Sequence, residues 1–370
     1  MKILLLGEYS NVHWTLAEGL RTLGHDVTVI SNGDGWKNYK RDINLKRKSL
    51  GLFDSIKYYI DILKTKHKMK GYDIVQIINP IFFDLRACRM RKFYDFLRKN
   101  NKKIVLGAFG MDYYWVSTCI DCKTFRYSDF NIGNRLRIDE PCNKPFVDEW
   151  LANEKADLNK YIANDCDAIV SGLYEYDCCY RPHYPNKTTY IPFPIKLSED
   201  KSTRMSLESI NKVRFFVGIQ KSRNEYKGTD IMLRALERVY KQYPDQCEII
   251  KAENVPFDEY SKMILSSDVL LDQLYSYTPA MNALLAMSKG LIAVSGGEPE
   301  NYTILNETEL RPIINVLPDE DDCFNKMEWL VLNKSQLPKL KSDSIEYIKR
   351  HHDYIKVAKR YSDLYSQLLS

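Results

Sequence analysis

Apolar and polar positions along this chain follow two alternating rhythms. Short apolar runs at Lys2–Leu6, Asp26–Ser31, Asp73–Ile78, Lys103–Gly107 and Asp167–Ser171 predict strands, and Tyr190–Pro194 closes the first half. Amphipathic stretches between them, at Trp14–Leu23, Asp54–His67 and Met90–Lys99, predict helices. Around Asp54–His67, Phe53, Ile56, Ile60 and Leu63 stand at helical spacing with lysines elsewhere. The rhythm breaks between Tyr113 and Asp157, an aromatic stretch too long for a simple connection and predicted to be a functional loop. A Ser/Lys/Glu-rich linker, Lys196–Asn211, precedes a second half with the same alternation. Its strands are read at Lys212–Gly218, Glu248–Lys251, Asp268–Asp272 and Leu291–Val294, and its helices at Asp230–Tyr243 and Ala280–Met287. Helix is expected from Leu330 onward, with Ser344–Leu369 one long stretch.

This pattern predicts α/β architecture with two Rossmann-like domains facing a central cleft, at about 1–195 and 196–345. The insertion 113–157 is assigned to the first, and 346–370 is a helix expected to return to it. A chain of 370 residues, 44% hydrophobic and 28% charged, suits two globular domains.

Charge and cysteine content refine the picture. The net charge of +5 is unevenly spread: Trp36–Lys70 carries eleven Lys and Arg against three Asp, and Arg86–Lys103 carries eight against one. Such a lobe fits an anionic partner: an acidic lipid surface, a lipid-phosphate acceptor or nucleic acid. No helix-turn-helix, zinc-finger or RNA-recognition signature supports nucleic acid. MKILLLGEYSN reads as a first strand and not a signal peptide, and nine cysteines without a secretory signal point to a cytoplasmic setting. Cys119, Cys122 and Cys142, with His183 or Cys166, could ligate zinc. Without a second C-x2-C the plainer reading is reduced thiols in a loop, and no metal is expected.

Several loops carry candidate chemistry. Gly7 to His13 joins a strand to a helix, so Gly7 and Asn11 sit where a helix N-terminus favours an anionic or polar group. Asp112 follows the strand ending at Gly107, with Tyr113 and Trp115 beside it as acceptor-binding candidates. In the second half, the loop from Gly218 to Asp230 offers Lys221, Arg223 and Lys227, cations suited to a pyrophosphate. Thr278 reads as a helix N-cap with Pro279 at the first helical position, followed by Ala280 and Met281. Gly296 and Gly297 form a turn carrying Glu298 and Glu300.

The order of these loops resembles the GT-B glycosyltransferases, in particular the retaining nucleotide-sugar family with a "G…KG-x-D" loop and an "EAMA-x-GxP" helix. The resemblance implies transfer of a sugar from a nucleoside diphosphate donor, a substrate and not a cofactor, with retention; no metal is expected for it, since cationic side chains and a helix N-terminus can stabilise the leaving diphosphate. A glycan or lipid-linked acceptor of the cell envelope is implied, at the inner face of the membrane. Lys227 with Lys221 or Arg223 would bind the donor diphosphate, the backbone at Thr278–Met281 would cradle it, and Asp112 and His13 would orient the acceptor or donor sugar. The chain departs from the family where two glutamates are usual: Tyr277 and Leu285 stand there. Glu298 or Glu300 is expected to take the ribose contact instead. The departure leaves open a catalytically silent relative that binds a glycan or a partner.

Overall fold

The computed structural model describes residues 1–151, 154–197, 211–219, 224–253 and 255–370. It divides into two compact α/β units. The first comprises Met1–Ser117, Val147–Pro194 and Tyr354–Ser370, and the second Thr118–Phe146 and Ile195–Asp353.

The first unit holds β1 (Lys2–Leu6), α1 (Val12–Thr22), β2 (Asp26–Ser31), β3 (Ile43–Asn44), α2 (Leu52–Thr65), β4 (Ile74–Ile77), α3 (Ala87–Asn100) and β5 (Lys103–Ala108). At α4 (Tyr113–Cys119) the chain passes into an arm with β6 (Tyr127–Ser128), β7 (Asn131–Ile132) and β8 (Arg135–Leu136). It returns through α5 (Lys144–Leu151) to α6 (Glu154–Asp165), β9 (Ala168–Ser171), α7 (Tyr174–Tyr180) and β10 (Thr188–Tyr190). The seven strands other than the arm's form one parallel sheet in the order β10-β9-β5-β4-β1-β2-β3. Helices on both faces explain why every residue of β4 and β9 is buried. The final strand ends at Tyr190 and not Pro194, because Pro192 and Pro194 have no N–H to donate to a ladder.

The second unit runs β11 (Val213–Ile219), α8 (Asn224–Lys227), α9 (Thr229–Gln242), β12 (Cys247–Glu253), α10 (Phe257–Leu265), β13 (Val269–Leu271), α11 (Met281–Ser288), β14 (Ile292–Ser295), α12 (Pro299–Leu305), β15 (Ile314–Asn315), α13 (Glu320–Leu332) and α14 (Leu337–His351). Its five strands are parallel in the order β12-β11-β13-β14-β15. The core gathers Val213, Phe215 and Val217 of β11 with Met232 and Leu236 of α9 and Met327 and Leu330 of α13. Asp268, just before β13, accepts from Arg214 and from the buried Lys341 of α14. These ion pairs tie the amino edge of the sheet to its last helix.

Two expectations change. The arm Thr118–Phe146, assigned by sequence to the first domain, packs with the second unit. The predicted continuous helix over 344–369 breaks at His352 and Asp353, where Ile195 N donates to His352 O at 2.7 Å and pairs with Asp353. Beyond the break, α15 (Tyr354–Leu369) lies on α1 of the first unit.

Gly19 sets the approach of α15. A Cβ there would meet Tyr354 O at 2.6 Å and Ala358 Cβ at 2.7 Å. Tyr365 Oη adds a buried hydrogen bond to Gln76 Oε1 of β4, 2.7 Å. Gly19→Val should therefore destabilise the protein by about 1–3 kcal/mol through overpacking, more than the gain of under about 1 kcal/mol in helix propensity. Urea unfolding measures this, and an unchanged midpoint would show that the two helices do not meet here.

Candidate functional site

In open parallel sheets ligands gather at the carboxyl ends of the strands. At that edge of the second unit, the chain leaves β11, β13 and β14 through three loops that lock together. The β11 loop ends in α8 with Lys227. Gly228 follows at φ +71°, and a Cβ there would meet Leu274 Cβ at 2.7 Å, so both the backbone and the neighbouring loop require glycine. Lys227 O accepts from Leu274 N at 2.9 Å. After β14, a Cβ on Gly296 would meet Ser276 O at 2.1 Å, and Glu298 N donates to Tyr277 O at 3.0 Å.

The Lys227 ammonium lies 3.8 Å from Oδ1 of the buried Asp272. The same oxygen accepts from Asn282 Nδ2 at 3.2 Å, and Asn282 belongs to the first turn of α11. A cation, a buried carboxylate and a helix start are thus joined at one place. Oδ2 of Asp272 and Oγ of Ser276 are buried and have no hydrogen-bond partner among the described residues. Asp272 and Asn282 carry no family signature, and only the fold reveals their place beside Lys227.

Thr278 is not the N-cap of α11: Ala280 occupies that position and Met281 begins the helix. Pro279 therefore lies outside the helix, which extended backbone at Ala280 (ψ −179°) allows. Lys221 and Arg223 lie outside the described residues.

The Gly-rich turn is occupied by the chain's own arm. Glu298, buried, accepts from Tyr127 Oη at 2.6 Å and Asn315 Nδ2 at 2.9 Å through Oε1, and from Arg126 Nη2 at 2.9 Å through Oε2. Arg126 also pairs with Glu300. Its guanidinium sits 4.7 Å from the centroid of the Tyr277 ring, and its backbone N donates to Tyr277 Oη at 2.7 Å. Arg137 stacks on Tyr275 at 4.0 Å, and Asp129 accepts from Tyr226 Oη. Arg126 and Asp129 of the arm, a stretch predicted to be a functional loop, both bind loops of the second unit. Glu298 and Glu300, expected at the donor ribose, are held by Arg126. Tyr277, in place of a family glutamate, forms part of this seat, while the other such position, Leu285, is exposed.

The first unit places its predicted residues differently. Gly7 has φ +84°, and a Cβ would strike Ile78 Cγ2 at 2.3 Å, so this glycine serves packing. Asn11 stands at the N-cap of α1 with φ 69° but makes no side-chain capping bond. Glu8 does so instead, accepting from His13 N at 3.2 Å and Trp14 N at 2.9 Å. The helix start expected to receive a ligand is thus filled by a side chain whose carboxyl burial pushes up to about 8. Asp112 is buried and caps α4, accepting from Trp115 N at 2.9 Å and from Tyr180 Oη; burial raises its carboxyl to about 6 against these bonds. Tyr113 lies under Lys160 Nζ at 4.0 Å, and Trp115 packs on Tyr176. His13 is buried, with Nδ1 2.9 Å from Gly7 O and Nε2 3.2 Å from Gln76 Nε2. Burial lowers its imidazole to about 3. His13 and Asp112 therefore serve as internal fixtures of the first unit in this structure, and the bonds that satisfy them are intramolecular. Among the described residues, no three His, Cys, Asp or Glu side chains gather as a metal site, the cysteines at 119, 122 and 142 included.

No protein-family model matches the chain, and neither does any curated protein. Solved structures do match along its whole length. A sucrose-phosphate synthase from Thermosynechococcus elongatus superposes with TM-score 0.65 at 13% identity, covering 100% of this chain and 99% of the other. HepE of Anabaena in complex with UDP-glucose gives 0.61 at 11% identity, covering 99% and 100%. WaaG, a glycosyltransferase involved in lipopolysaccharide biosynthesis, gives 0.55 at 13%, covering 98% and 99%. The chain has the two-unit α/β fold of these GT-B glycosyltransferases.

The buried His13 makes a pH prediction. Its folded value of about 3 lies below the ordinary 6.5, so the unfolded chain binds the proton more readily. The associated stability is complete above about 6.5 and is lost as pH falls from there toward about 3. The difference in unfolding free energy between wild type and His13→Gln should shrink as the solution is acidified below about 6.5. A difference constant with pH would show that the imidazole is not held neutral.

Proposed function

We propose that the protein is a glycosyltransferase that takes a sugar from a nucleoside diphosphate donor bound at the carboxyl edge of the second unit. The observation that carries this reading is the junction of Lys227, Asp272 and the first turn of α11 on a fold shared end to end with nucleotide-sugar enzymes. Negative charge grows on the diphosphate as the glycosidic bond breaks. An ammonium and a helix start fixed beforehand stabilise that charge without reorganising at the moment of reaction. Lys221 and Arg223 are the neighbouring cations in sequence that would share the load. Asp272 holds the ammonium until the diphosphate displaces it as the closer partner. Retention of configuration and independence from metal belong to this reading. The acceptor is a glycan or lipid-linked glycan of the cell envelope, met at an anionic membrane surface. The basic first unit supports that placement.

Tyr277 and Leu285 favour a second reading, a catalytically silent relative that binds a glycan or a partner. Tyr277 is built into the seat of Arg126, and Leu285 offers no hydrogen bond to a ribose. The two readings part on turnover: only the enzyme releases nucleoside diphosphate from a nucleotide sugar.

A thermal-shift screen of nucleoside diphosphates and their sugars tests donor binding, since a ligand at a hundred times its dissociation constant adds about 2.7 kcal/mol. No shift with any of them would sink the enzymatic reading. Lys227→Gln should lower turnover by about 100- to 1000-fold. Because the substitution also leaves the buried Asp272 without its cation, the double variant Lys227→Gln/Asp272→Asn separates catalysis from folding. Near-normal turnover in either folded variant would remove Lys227 from the mechanism.

A further inference from the structure

Helix α2 has two apolar faces, and only one of them is used. Tyr58 and Ile62 are buried and fasten the helix to the first unit. The apolar stripe legible in the sequence is the other face. Leu52 is 75% exposed, Phe53 88%, Ile56 50%, Ile60 42% and Leu63 43%. Leu50 just before the helix is exposed as well. Scattered exposed apolar residues are ordinary, but a stripe of five on one helix, filling positions i, i+1, i+4, i+8 and i+11, needs an occupant.

Charge around the stripe identifies it. At about 100° per residue, Lys57 and Lys64 border the stripe about 80° from its centre, while Asp54 and Asp61 lie about 140° away, toward the flank. Lys46, Lys48 and Lys57 line one cavity beside the helix, with Asp54 and Asp61 on its wall. His67, Lys68 and Lys70, all exposed, continue past the helix end. An outward apolar stripe edged by long cationic side chains is the pattern of a helix lying in a bilayer interface. The rings and branched chains enter the acyl boundary, and the lysine stems reach back to headgroup phosphates. A second copy of this chain would bring the same lysines against one another, which charge repulsion disfavours.

The geometry points to α2 as a membrane-inserting anchor: its Leu52–Leu63 stripe enters an anionic bilayer and holds the first unit on the surface. This rests on the membrane-facing reading of the basic unit given above and deepens it, because charge alone would only attract the protein, while the stripe would bury apolar surface. It does not depend on sugar transfer.

The test is co-sedimentation of the full chain with vesicles of phosphatidylcholine alone or with about one-third phosphatidylglycerol, in low and high salt. The variants are Phe53→Ser/Ile56→Ser/Ile60→Ser and Lys57→Gln/Lys64→Gln, each checked for an unchanged melting temperature. Because the substituted apolar residues are exposed, the fold should persist. Wild type should bind anionic vesicles and retain part of that binding in high salt. The triple serine variant should bind about tenfold or more weakly, since apolar side chains withdrawn from water contribute on that scale. The lysine variant should mainly lose the salt-sensitive part. Triple-variant binding equal to wild type would overturn insertion while leaving electrostatic docking standing. No wild-type binding to either vesicle would overturn both. A wild-type dimer in sedimentation velocity that the triple variant abolishes would assign the stripe to a second copy and overturn the proposal. No arm reads transfer, so the failure of the enzymatic reading is separately visible.

Discussion

A buried carboxylate must be satisfied by donors or its burial is costly, and Glu298 is the one around which the carboxyl edge of the second unit is assembled. Tyr127 and Arg126 reach it from the arm, and Asn315 reaches it from the end of β15. Its own backbone N is bonded to Tyr277, which ties the β14 loop to the β13 loop. The β13 loop in turn meets Lys227 through Leu274 N and the side chain of Asp272. A side chain that reads in isolation as a ligand contact is therefore the joint that fixes where the cation stands. Arg126 is itself half exposed, so its ion pairs contribute modestly to stability; the geometry they impose matters more.

The same principle separates the two units chemically. In the first, the polar groups nearest the strand ends are spent internally: Glu8 on the start of α1, Asp112 on the start of α4, His13 on Gly7 O. In the second, the corresponding edge holds an ammonium, a helix start and two buried oxygens that have no partner among the described residues. The outer surface of the first unit carries the excess positive charge and the uncovered stripe of α2. Donor chemistry thus has its candidates on one unit and surface attachment on the other.

Much of the fold was legible in the sequence because buried parallel strands are nearly uniform apolar runs. Those at Lys2–Leu6, Asp26–Ser31 and Val213–Ile219 stand within one residue of where the pattern puts them. The short strands β3, β6, β7 and β8 have two residues each, too few for a period to show. Lys227 stands out as a candidate by its glycine-flanked loop, whereas Asp272 and Asn282 do not, since they come beside it only once three distant loops converge. The arm misled because aromatic and charged residues in a loop look alike whether they await a ligand or grip a neighbouring loop. In α2 the helical period was plain, yet periodicity marks an apolar face without saying whether the protein or something else covers it. Tyr58 and Ile62, two residues off the stripe, turned out to be the inward face.

In the proposed donor site a diphosphate binds between the Lys227 ammonium and the first turn of α11. An experimentally determined structure of the complex with whichever nucleoside diphosphate binds most tightly addresses it directly. The account predicts diphosphate oxygens within hydrogen-bonding distance of Lys227 Nζ and of the backbone N–H groups at the start of α11, with the ammonium drawn from Asp272. A nucleotide bound elsewhere, with Lys227 still held against Asp272, would contradict it.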